Sequence, residues 1–310
     1  MTKPLSFHKG DIIMTIKNVT VAGSGVLGSQ IAFQTAFKGF SVTVYDINED
    51  AINKAKERIK GLRHMYKHDI AATDEEFEAG LSRITYTWDL EDAVKNADLV
   101  IEAIPERLDI KKPFYDKIGK LAPKEAIFTS NSSTLVPSAL MEDTGRPAQF
   151  LNMHLANQVW LNNTAEIMGS PKTDPAIYKE IVQFARDIGM IPIELKKEQP
   201  GYILNSLLIP LLSAGEGLWV KGVADPEMID KTWMAATGAP MGPFAILDVV
   251  GIRTAYNITE AQAKAGDSNA QVLADKLKEL LDQGKLGMES GEGFYHYPNP
   301  AYKDENFLKI

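Results

Sequence analysis

The stretch Asn18-Val-Thr-Val-Ala-Gly-Ser-Gly-Val-Leu-Gly28 decides the fold of this chain. An apolar, β-branched run predicts a strand, and three glycines follow it at the spacing Gly-x-Gly-x-x-Gly. Gly23 allows a tight turn, Gly25 lets the backbone approach a pyrophosphate, and Gly28 lets the following helix pack closely on the sheet. The stretch therefore predicts a dinucleotide-binding turn between a strand and a helix.

A second strand and its terminal acid complete this motif. Ser41-Val-Thr-Val-Tyr45 ends on Asp46, which lies eighteen residues beyond Gly28. An acid at that place accepts hydrogen bonds from the adenosine ribose hydroxyls and repels a 2′-phosphate. We therefore expect the cofactor to be NAD rather than NADP, with its phosphates at the helix start formed by Val26 and Leu27. If the three glycines served packing alone, the acid at the end of the second strand would have no explanation.

Composition sets the class of protein. The chain has 310 residues, of which 45% are hydrophobic and 24% charged, as expected for a globular protein of two domains. It has no cysteine, which excludes disulfides, thiolate catalysis and cysteine-ligated zinc. The formal charge of −8 argues against a nucleic-acid partner. No apolar run reaches the roughly 20 residues that cross a bilayer, so we expect a cytoplasmic protein with no membrane partner.

Alternating strands and helices predict an α/β domain with a Rossmann-type, doubly wound and mostly parallel sheet. Helices predicted at 49–67 and 73–81 form a helical insertion before the third strand at 83–87. Later strands are predicted at 98–105, 126–130, 150–154, 164–168 and 191–195, and later helices at 111–121 and 175–188. We expect the dinucleotide domain at 15–196, after a disordered tail or tag remnant at 1–14.

Residues 197–310 predict an all-α second domain. The segment 202–221 is nearly all apolar, so as a helix it must be buried by more than one neighbour. We expect this domain to form a homodimer that covers the apolar helix. Further helices are predicted at 225–236, 243–257 and 270–283, and the last strand candidate is 293–297.

One histidine is placed for chemistry. Reduction of a ketone by hydride transfer needs a proton donor beside the carbonyl, and histidine fills that role most often. His154 ends the predicted strand 150–154, at the edge where open α/β sheets bind ligands. His64 and His68 stand four residues apart on the insertion helix, where a solvated helix face is a better interpretation than a metal pair. We predict no metal site.

Glu166 is the candidate partner of this histidine. It lies on an apolar strand, where an unpaired carboxylate is costly to bury. A loop that returns the chain beside His154 would let Glu166 accept the imidazole N–H and fix the tautomer. The alternative is a salt bridge between Glu166 and a lysine.

Motifs along nearly the whole chain after Met14 resemble, in order and spacing, those of the 3-hydroxyacyl-CoA dehydrogenases. They are the glycine turn, Glu102-Ala-Ile-Pro-Glu106, Ser130-Asn-Ser-Ser133, His154-Leu-Ala-Asn157, Glu166, Gly201-Tyr-Ile-Leu-Asn205, Gly238-Ala-Pro-Met-Gly-Pro243 and Gly291-Glu-Gly-Phe-Tyr295. The resemblance implies an NAD-dependent oxidoreductase that interconverts a 3-hydroxyacyl-CoA, such as 3-hydroxybutyryl-CoA, and its 3-oxo form.

The resemblance also implies the catalytic residues. His154 would be the general acid/base and Glu166 its orienting carboxylate. Ser133 and Asn157 would lie beside the substrate carbonyl and His154, and Asn205 would reach in from the helical domain. Two alternatives stay open, because Ser133 could only cap the following helix and Asn205 could only pack at the domain seam.

On the cofactor side, the resemblance places Glu106 near the nicotinamide and Lys111 near the phosphates or the ribose edge. It adds Ile104, Asn131 and Ser133 to the residues expected to contact NAD or NADH.

The chain departs from the family directly after its histidine. Where the family commonly reads His-Phe-Phe-Asn-Pro-Val, this chain has His154-Leu-Ala-Asn-Gln-Val159, and polar Asn162 and Asn163 follow. Leu155 and Ala156 thus replace two phenylalanine-sized walls. This part of the chain resembles the diketoreductase branch of the family, whose members reduce β-diketo esters.

The substrate therefore stays open among three classes: a 3-oxoacyl-CoA, a β-keto or diketo ester or acid without CoA, and a hydroxy acid such as a sugar acid. A crystallin-like structural protein that binds NADH without turnover is the alternative outside enzymes. Candidates for binding a CoA phosphate are the basic residues of the insertion helix, Lys56, Arg58, Lys60, Arg63 and Lys67.

Overall fold

The computed structural model describes residues 16–309, without the side chains of residues 268 and 269. The tail expected at 1–14 lies outside the described residues. The chain divides into two compact units, the first ending at Ile203 and the second beginning at Leu204.

The first unit is built on one sheet of eight strands. In chain order these are β1 (Asn18–Ala22), β2 (Ser41–Tyr45), β3 (Ile84–Thr87), β4 (Leu99–Glu102), β5 (Ile127–Ser130), β6 (Phe150–Leu155), β7 (Thr164–Gly169) and β8 (Ile191–Leu195). Their order in the sheet is β3-β2-β1-β4-β5-β6-β7-β8. Every neighbouring pair is parallel except β6 with β7. The expected Rossmann-type, mostly parallel sheet is confirmed.

The helices of this unit are α1 (Val26–Phe37), α2 (Glu49–Ile70), α3 (Asp74–Leu81), α4 (Leu90–Val94), α5 (Leu108–Leu121) and α6 (Pro175–Asp187). Helices α2 and α3 form the predicted insertion. Thr73 and Glu76 begin α3 with a reciprocal capping box. Helix α4 was not predicted, because five residues are too few for a helical period to show.

Aromatic packing holds the insertion on the first helix. Phe33 of α1 lies 4.3 Å from the ring of Phe77 and 4.8 Å from that of Tyr66, measured between centroids. All three side chains are fully buried.

Strands β4, β5 and β6 are buried along their whole length, as is typical of strands covered on both faces. The carboxyl ends of these strands are thereby held on a rigid frame.

The second unit is all-α over its described residues, as predicted. Its helices are α7 (Tyr202–Val220), whose first two residues still belong to the first unit, α8 (Pro226–Thr237), α9 (Pro243–Val250), α10 (Ile252–Lys264) and α11 (Ser268–Asp282). The single helix predicted at 243–257 is wrong, because Gly251 has φ +94° and separates α9 from α10. The strand candidate 293–297 is also wrong, since that segment takes part only in an isolated bridge between Glu292 and His296.

The length and apolar character of helix α7 bear on the expectation that no segment could cross a membrane. By length and composition alone it could cross a membrane, so the expectation that no apolar run is long enough is wrong for this helix. The polar residues Asn205, Ser206 and Glu216 interrupt the apolar run, but the mean hydropathy of the helix remains high enough for a membrane span. Only 17% of the most apolar window is buried within the chain, and Leu207 and Ile209 are exposed.

Two buried acids organise the second unit. The carboxylate of Asp230 accepts hydrogen bonds from the backbone N–H groups of Phe244 and Ala245, both at 2.8 Å, and so caps α9. The carboxylate of Asp248 accepts from the N–H groups of Phe294 and Tyr295 at 2.8 and 2.9 Å. Burial raises the pKa of both acids, and these hydrogen bonds oppose that rise.

Glycines let the backbone reach these acids. A Cβ at Gly242 would lie 2.4 Å from the Cα of Asp230, and one at Gly293 would lie 2.0 Å from Oδ1 of Asp248. Two of the motifs noted in the sequence, 238–243 and 291–295, are therefore explained by the packing of this unit.

We predict that Gly242→Ala destabilises the protein by about 1–3 kcal/mol, because the added methyl group meets backbone that cannot move aside. Gly61→Ala is the control, since Gly61 lies in α2 with nothing within 4 Å of its Cβ position. The control should be neutral or stabilise by up to about 1 kcal/mol. Calorimetric unfolding checks both variants, and equal stabilities would contradict the prediction.

Candidate active site

The glycine turn between β1 and α1 has the geometry that a dinucleotide needs. Gly23 has φ +97°, and a Cβ there would lie 2.4 Å from the carbonyl oxygen of Ala103. A Cβ at Gly28 would lie 1.9 Å from the carbonyl oxygen of Gly23, so α1 begins in close contact with the turn. No atom lies within 4 Å of the Cβ position of Gly25. That open space lies at the start of α1, beside Val26 and Leu27, where helix N–H groups favour an anion.

Asp46 lies at the end of β2, beside this turn. Its Oδ2 accepts hydrogen bonds from the backbone N–H and the hydroxyl of Ser24, at 2.8 and 2.5 Å. Its Oδ1 accepts from the N–H of Ile47 at 2.8 Å. The carboxylate is thus fixed beside the second residue of the glycine turn. A carboxylate in this place would accept hydrogen bonds from a ribose diol and repel a 2′-phosphate, and the contact of Asp46 with the cofactor stays a prediction.

Glu106 lies beyond β4 in a cluster of donors. It accepts hydrogen bonds from the hydroxyl of Ser132 and from the N–H and hydroxyl of Thr134, the latter two at 3.1 and 2.8 Å. Partial burial raises the pKa of Glu106, but these donors and the ammonium of Lys111 outweigh it and lower the pKa to about 2. Glu106 is therefore an anion at neutral pH, held against the loop that follows β5.

Lys111 lies inside the protein and not on its surface. It is 1% exposed, and its Nζ lies 2.5 Å from Glu102 and 3.1 Å from Glu106. Glu102 is fully buried at the end of β4 and also accepts hydrogen bonds from Tyr115 and Ser130 at 3.0 and 2.7 Å. Lys111 thus positions Glu106, and its direct contact with a cofactor stays a prediction.

The backbone N–H of Ile104 donates to Glu102 at 2.9 Å, so the predicted cofactor residue Ile104 belongs to the same cluster. Glu102 belongs to a motif quoted above but was not predicted as a site residue. It closes a buried apolar strand, which is the signal that singled out Glu166, and the same requirement for a partner would have found it.

His154, Glu166 and Ser133 come together at the ends of neighbouring strands. His154 on β6 lies directly opposite Glu166 on the antiparallel strand β7. The imidazole Nδ1 lies 3.1 Å from Oε2 of Glu166, and Nε2 lies 3.1 Å from the hydroxyl of Ser133. His154 and Glu166 are 7% and 4% exposed. The predicted pair of His154 and Glu166 is therefore in contact.

The position of the imidazole determines what it can do. Glu166 accepts the Nδ1 proton, so Nε2 faces the Ser133 hydroxyl on the loop after β5. Glu106 contacts the same loop through Ser132. A histidine held in this way can move one proton at Nε2 while the carboxylate stabilises the imidazolium.

Three predicted asparagines have different surroundings. The Oδ1 of Asn131 accepts the backbone N–H of Leu155 at 2.8 Å and so holds the end of β6. Asn157 is exposed in the loop after β6, and its carbonyl accepts a hydrogen bond from Asn162 at 2.8 Å. Asn205 lies in α7, in the second unit, and is partly buried there.

The loop between β6 and β7 is anchored at several points. The N–H of Gln158, a residue with φ +60°, donates to the side chain of Gln30 on α1 at 2.7 Å. The indole N–H of Trp160 donates to Asp69 on α2 at 2.8 Å. Asn163 donates to the carbonyl of Gly189 at 3.2 Å, and Leu155 is buried in the core. Of the expected pocket residues, Gln158 and Asn162 are exposed and Ala156 is half-buried, and their contact with a substrate stays a prediction.

The five basic candidates on α2 all have partners within the protein. Their contacts are Lys56 with the ring of Tyr86, Arg58 with the carbonyl of Ser24, Lys60 with Glu57, Arg63 with Asp74 and Glu78, and Lys67 with Asp74. Most of these pairs are exposed and can exchange with solvent or ligand.

Two family models match nearly all of the described chain. The model of the 3-hydroxyacyl-CoA dehydrogenase NAD-binding domain matches residues 18–199. The model of the 3-hydroxyacyl-CoA dehydrogenase C-terminal domain matches residues 201–297. The first unit is thus an NAD-binding domain, and NAD is the expected cofactor.

Individual relatives agree with these models. The mitochondrial hydroxyacyl-coenzyme A dehydrogenase of Sus scrofa is 35% identical over 288 residues, covering 91% of each chain. A probable 3-hydroxybutyryl-CoA dehydrogenase of Bacillus subtilis is 32% identical and covers 92% of this chain and 98% of that protein. A solved diketoreductase, described as acting on dicarbonyl compounds, is 57% identical with a TM-score of 0.87, covering 92% of this chain and all of its own. This chain belongs to the 3-hydroxyacyl-CoA dehydrogenase family and is an NAD-dependent oxidoreductase.

Proposed function

We propose that this protein transfers a hydride between NAD and a 3-hydroxyacyl-CoA or its 3-oxo form, with His154 as general acid/base. The observation that carries the proposal is the chain of contacts from Glu166 through the imidazole of His154 to the hydroxyl of Ser133. Bound NADH supplies the hydride. In the reductive direction, His154 gives its Nε2 proton to the oxygen that becomes the 3-hydroxyl group.

Each neighbour of His154 has a separate task in this proposal. Glu166 holds the imidazole in the tautomer that presents Nε2 and stabilises the imidazolium. Ser133 donates to the substrate carbonyl from its position beside Nε2, and Asn157 and Asn205 keep the roles that the family resemblance implies for them. Glu106, fixed by Ser132, Thr134 and Lys111, orients the nicotinamide end.

We assign the predicted cofactor residues to parts of NAD according to the strand that each one follows. Gly23, Gly25 and Gly28, with Val26 and Leu27, receive the pyrophosphate, and Asp46 accepts the adenosine ribose hydroxyls. Ile104, Glu106, Asn131 and Ser133 line the nicotinamide end, and Lys111 acts there through Glu106. The open space at Gly25 and the fixed carboxylate of Asp46 support this assignment.

A second candidate function is the reduction of a β-keto or diketo ester or acid that carries no CoA. The observation in its favour is the 57% identity with a diketoreductase across the whole of that chain, against 35% for the Sus scrofa enzyme. The altered loop after His154 is consistent with a different acyl substituent. Both candidates use the same proton transfer at His154.

We also propose that the protein is a homodimer through its helical domain. The support is the apolar surface of α7, which includes Leu207 at 68% and Ile209 at 57% exposure. A second copy would remove this surface from water and gain roughly 25 cal/mol for each Å² that it covers. We place the dimer in the cytoplasm.

His154→Gln should lower kcat by a factor of about 10² to 10⁴ and leave the Kd for NADH within about twofold, because glutamine cannot deliver the proton. His296→Gln is the control, since His296 is 82% exposed in the second unit and should keep full turnover. Steady-state kinetics and fluorescence titration with NADH measure both effects. Undiminished turnover in His154→Gln would refute the proposed role.

A substrate comparison with NADH tests the choice of acyl group. We expect the protein to reduce acetoacetyl-CoA with NADH. It should oxidise a sugar acid with NAD at a kcat/KM at least about 100-fold lower than that for acetoacetyl-CoA, because the sugar acid lacks the 3-hydroxyacyl pattern. A kcat/KM for a diketo ester above that for acetoacetyl-CoA would select the second candidate. Binding of NADH without turnover of any substrate would indicate the crystallin-like alternative.

Leu207→Asp should convert the dimer to a monomer, because it introduces a charge into the surface that the second copy covers. Trp88→Asp, at an exposed apolar residue of the first unit, should leave the dimer intact. Sedimentation velocity measures the mass of each variant. A monomeric unmodified protein, or one that sediments with lipid vesicles through α7, would contradict the proposed dimer.

A further inference from the structure

Tyr202 has a backbone conformation that its side chain does not favour. Its φ is +55°, in the left-handed region, and it follows Gly201, whose φ is +79°. A non-glycine residue held there is strained, and such a conformation persists only where the surroundings demand it. The side chain is fully buried. The contacts made by this residue therefore explain why the strained turn is kept.

The ring of Tyr202 lies on the imidazole of His154. The two ring centroids are 4.6 Å apart and the planes differ by 19°, which is a stacked arrangement. The two nitrogen contacts of His154, to Glu166 and Ser133, fix the imidazole within its own plane. They leave the ring free to tilt about the line that joins them. A parallel ring against one face opposes that tilt.

The hydroxyl of Tyr202 is tied to the loop that carries Ser133. It donates to the carbonyl oxygen of Ser132 at 2.7 Å and accepts a hydrogen bond from the amide of Asn152 at 2.9 Å. Burial raises the pKa of this phenol, so it stays protonated and remains a donor. The residue that precedes Ser133 is thereby held at a fixed distance from the stacked ring.

The next residue in the turn reaches the third member of the site. The backbone N–H of Ile203 donates to Oε1 of Glu166 at 2.9 Å, while Oε2 faces His154. A conformation that turned Tyr202 out of the left-handed region would redirect this N–H. One strained turn thus contacts His154, Glu166 and the Ser133 loop together.

We propose that Tyr202 is a positioning residue for proton transfer, which holds the imidazole plane by stacking while its turn orients Glu166. This inference rests on the proposed role of His154. The ring supplies the larger part of the effect. The Asn152 amide donates to the carbonyl of Leu135 at 2.7 Å, so the Ser133 loop keeps a second anchor when the Tyr202 hydroxyl is removed.

Substitution of Tyr202 separates positioning from packing. Tyr202→Leu should lower kcat by about 10- to 100-fold and change the KM for NADH by less than about threefold, because a loosened imidazole slows the chemical step alone. Tyr202→Phe keeps the ring and should recover kcat to within about threefold of the unmodified protein. Tyr202→Met, whose unbranched and flexible side chain adapts to an irregular space, replaces the leucine variant if that variant does not fold.

Tyr178→Leu is the matched control. Tyr178 is partly buried in α6 and donates to the carbonyl of Ile167 on β7 at 3.0 Å, so its loss destabilises the same sheet. This variant should lose stability and keep kcat. An equal loss of kcat in the control, or no recovery with Tyr202→Phe, would overturn the inference.

His154→Gln, measured in parallel, distinguishes the two levels of proposal. If its turnover is lost while Tyr202→Leu and Tyr202→Met keep full kcat, Tyr202 has no positioning role and the proposed function stands. If His154→Gln keeps its turnover, the proposed function fails and the role of Tyr202 fails with it.

Discussion

The structure depends on one constraint, which is that a carboxylate taken out of water must find donors. Four acids show how it is met: Glu102, Glu166, Asp230 and Asp248, all 4% exposed or less. Each accepts at least two hydrogen bonds from other residues, including backbone N–H groups in every case. Removing one donor would leave a buried charge short of partners, at a cost of about 1–3 kcal/mol or more. The acids therefore fix the surrounding loops as firmly as the apolar core fixes the strands.

These acids divide between two purposes. Asp230 and Asp248 join helices and the C-terminal segment of the helical unit, and their donors are mainly backbone groups next to close-packed glycines. Glu102 and Glu166 stand at the ends of sheet strands, where their partners are a lysine and a histidine. The same physical requirement thus supports the fold in one unit and, in the other, holds ionisable groups at the strand ends where we propose that the reaction takes place.

Much of this was predictable from sequence because the signals were local. The glycine turn, the acid at the end of β2, the strand rhythm and the pairing of His154 with Glu166 follow from spacing and from the cost of burying charge. The features that were not predicted either arise from contacts between residues distant in sequence or lie in elements too short to show a period. The break at Gly251 rests on one backbone angle, α4 is too short to show a period, and the burial of Lys111 depends on Glu102. The stacking of Tyr202 on His154 joins residues 48 positions apart, which no local pattern predicts.

The antiparallel pairing of β6 with β7 has a consequence for how such a site can diversify. Because His154 and Glu166 face each other across one hairpin, their separation is set by strand register and not by the eight-residue connection from 156 to 163. Substitutions in that connection therefore leave the distance between the two side chains unchanged. Its anchors on α1, α2 and Gly189 hold its path, so the tip of the hairpin can vary in chemistry while the strands conserve the pair.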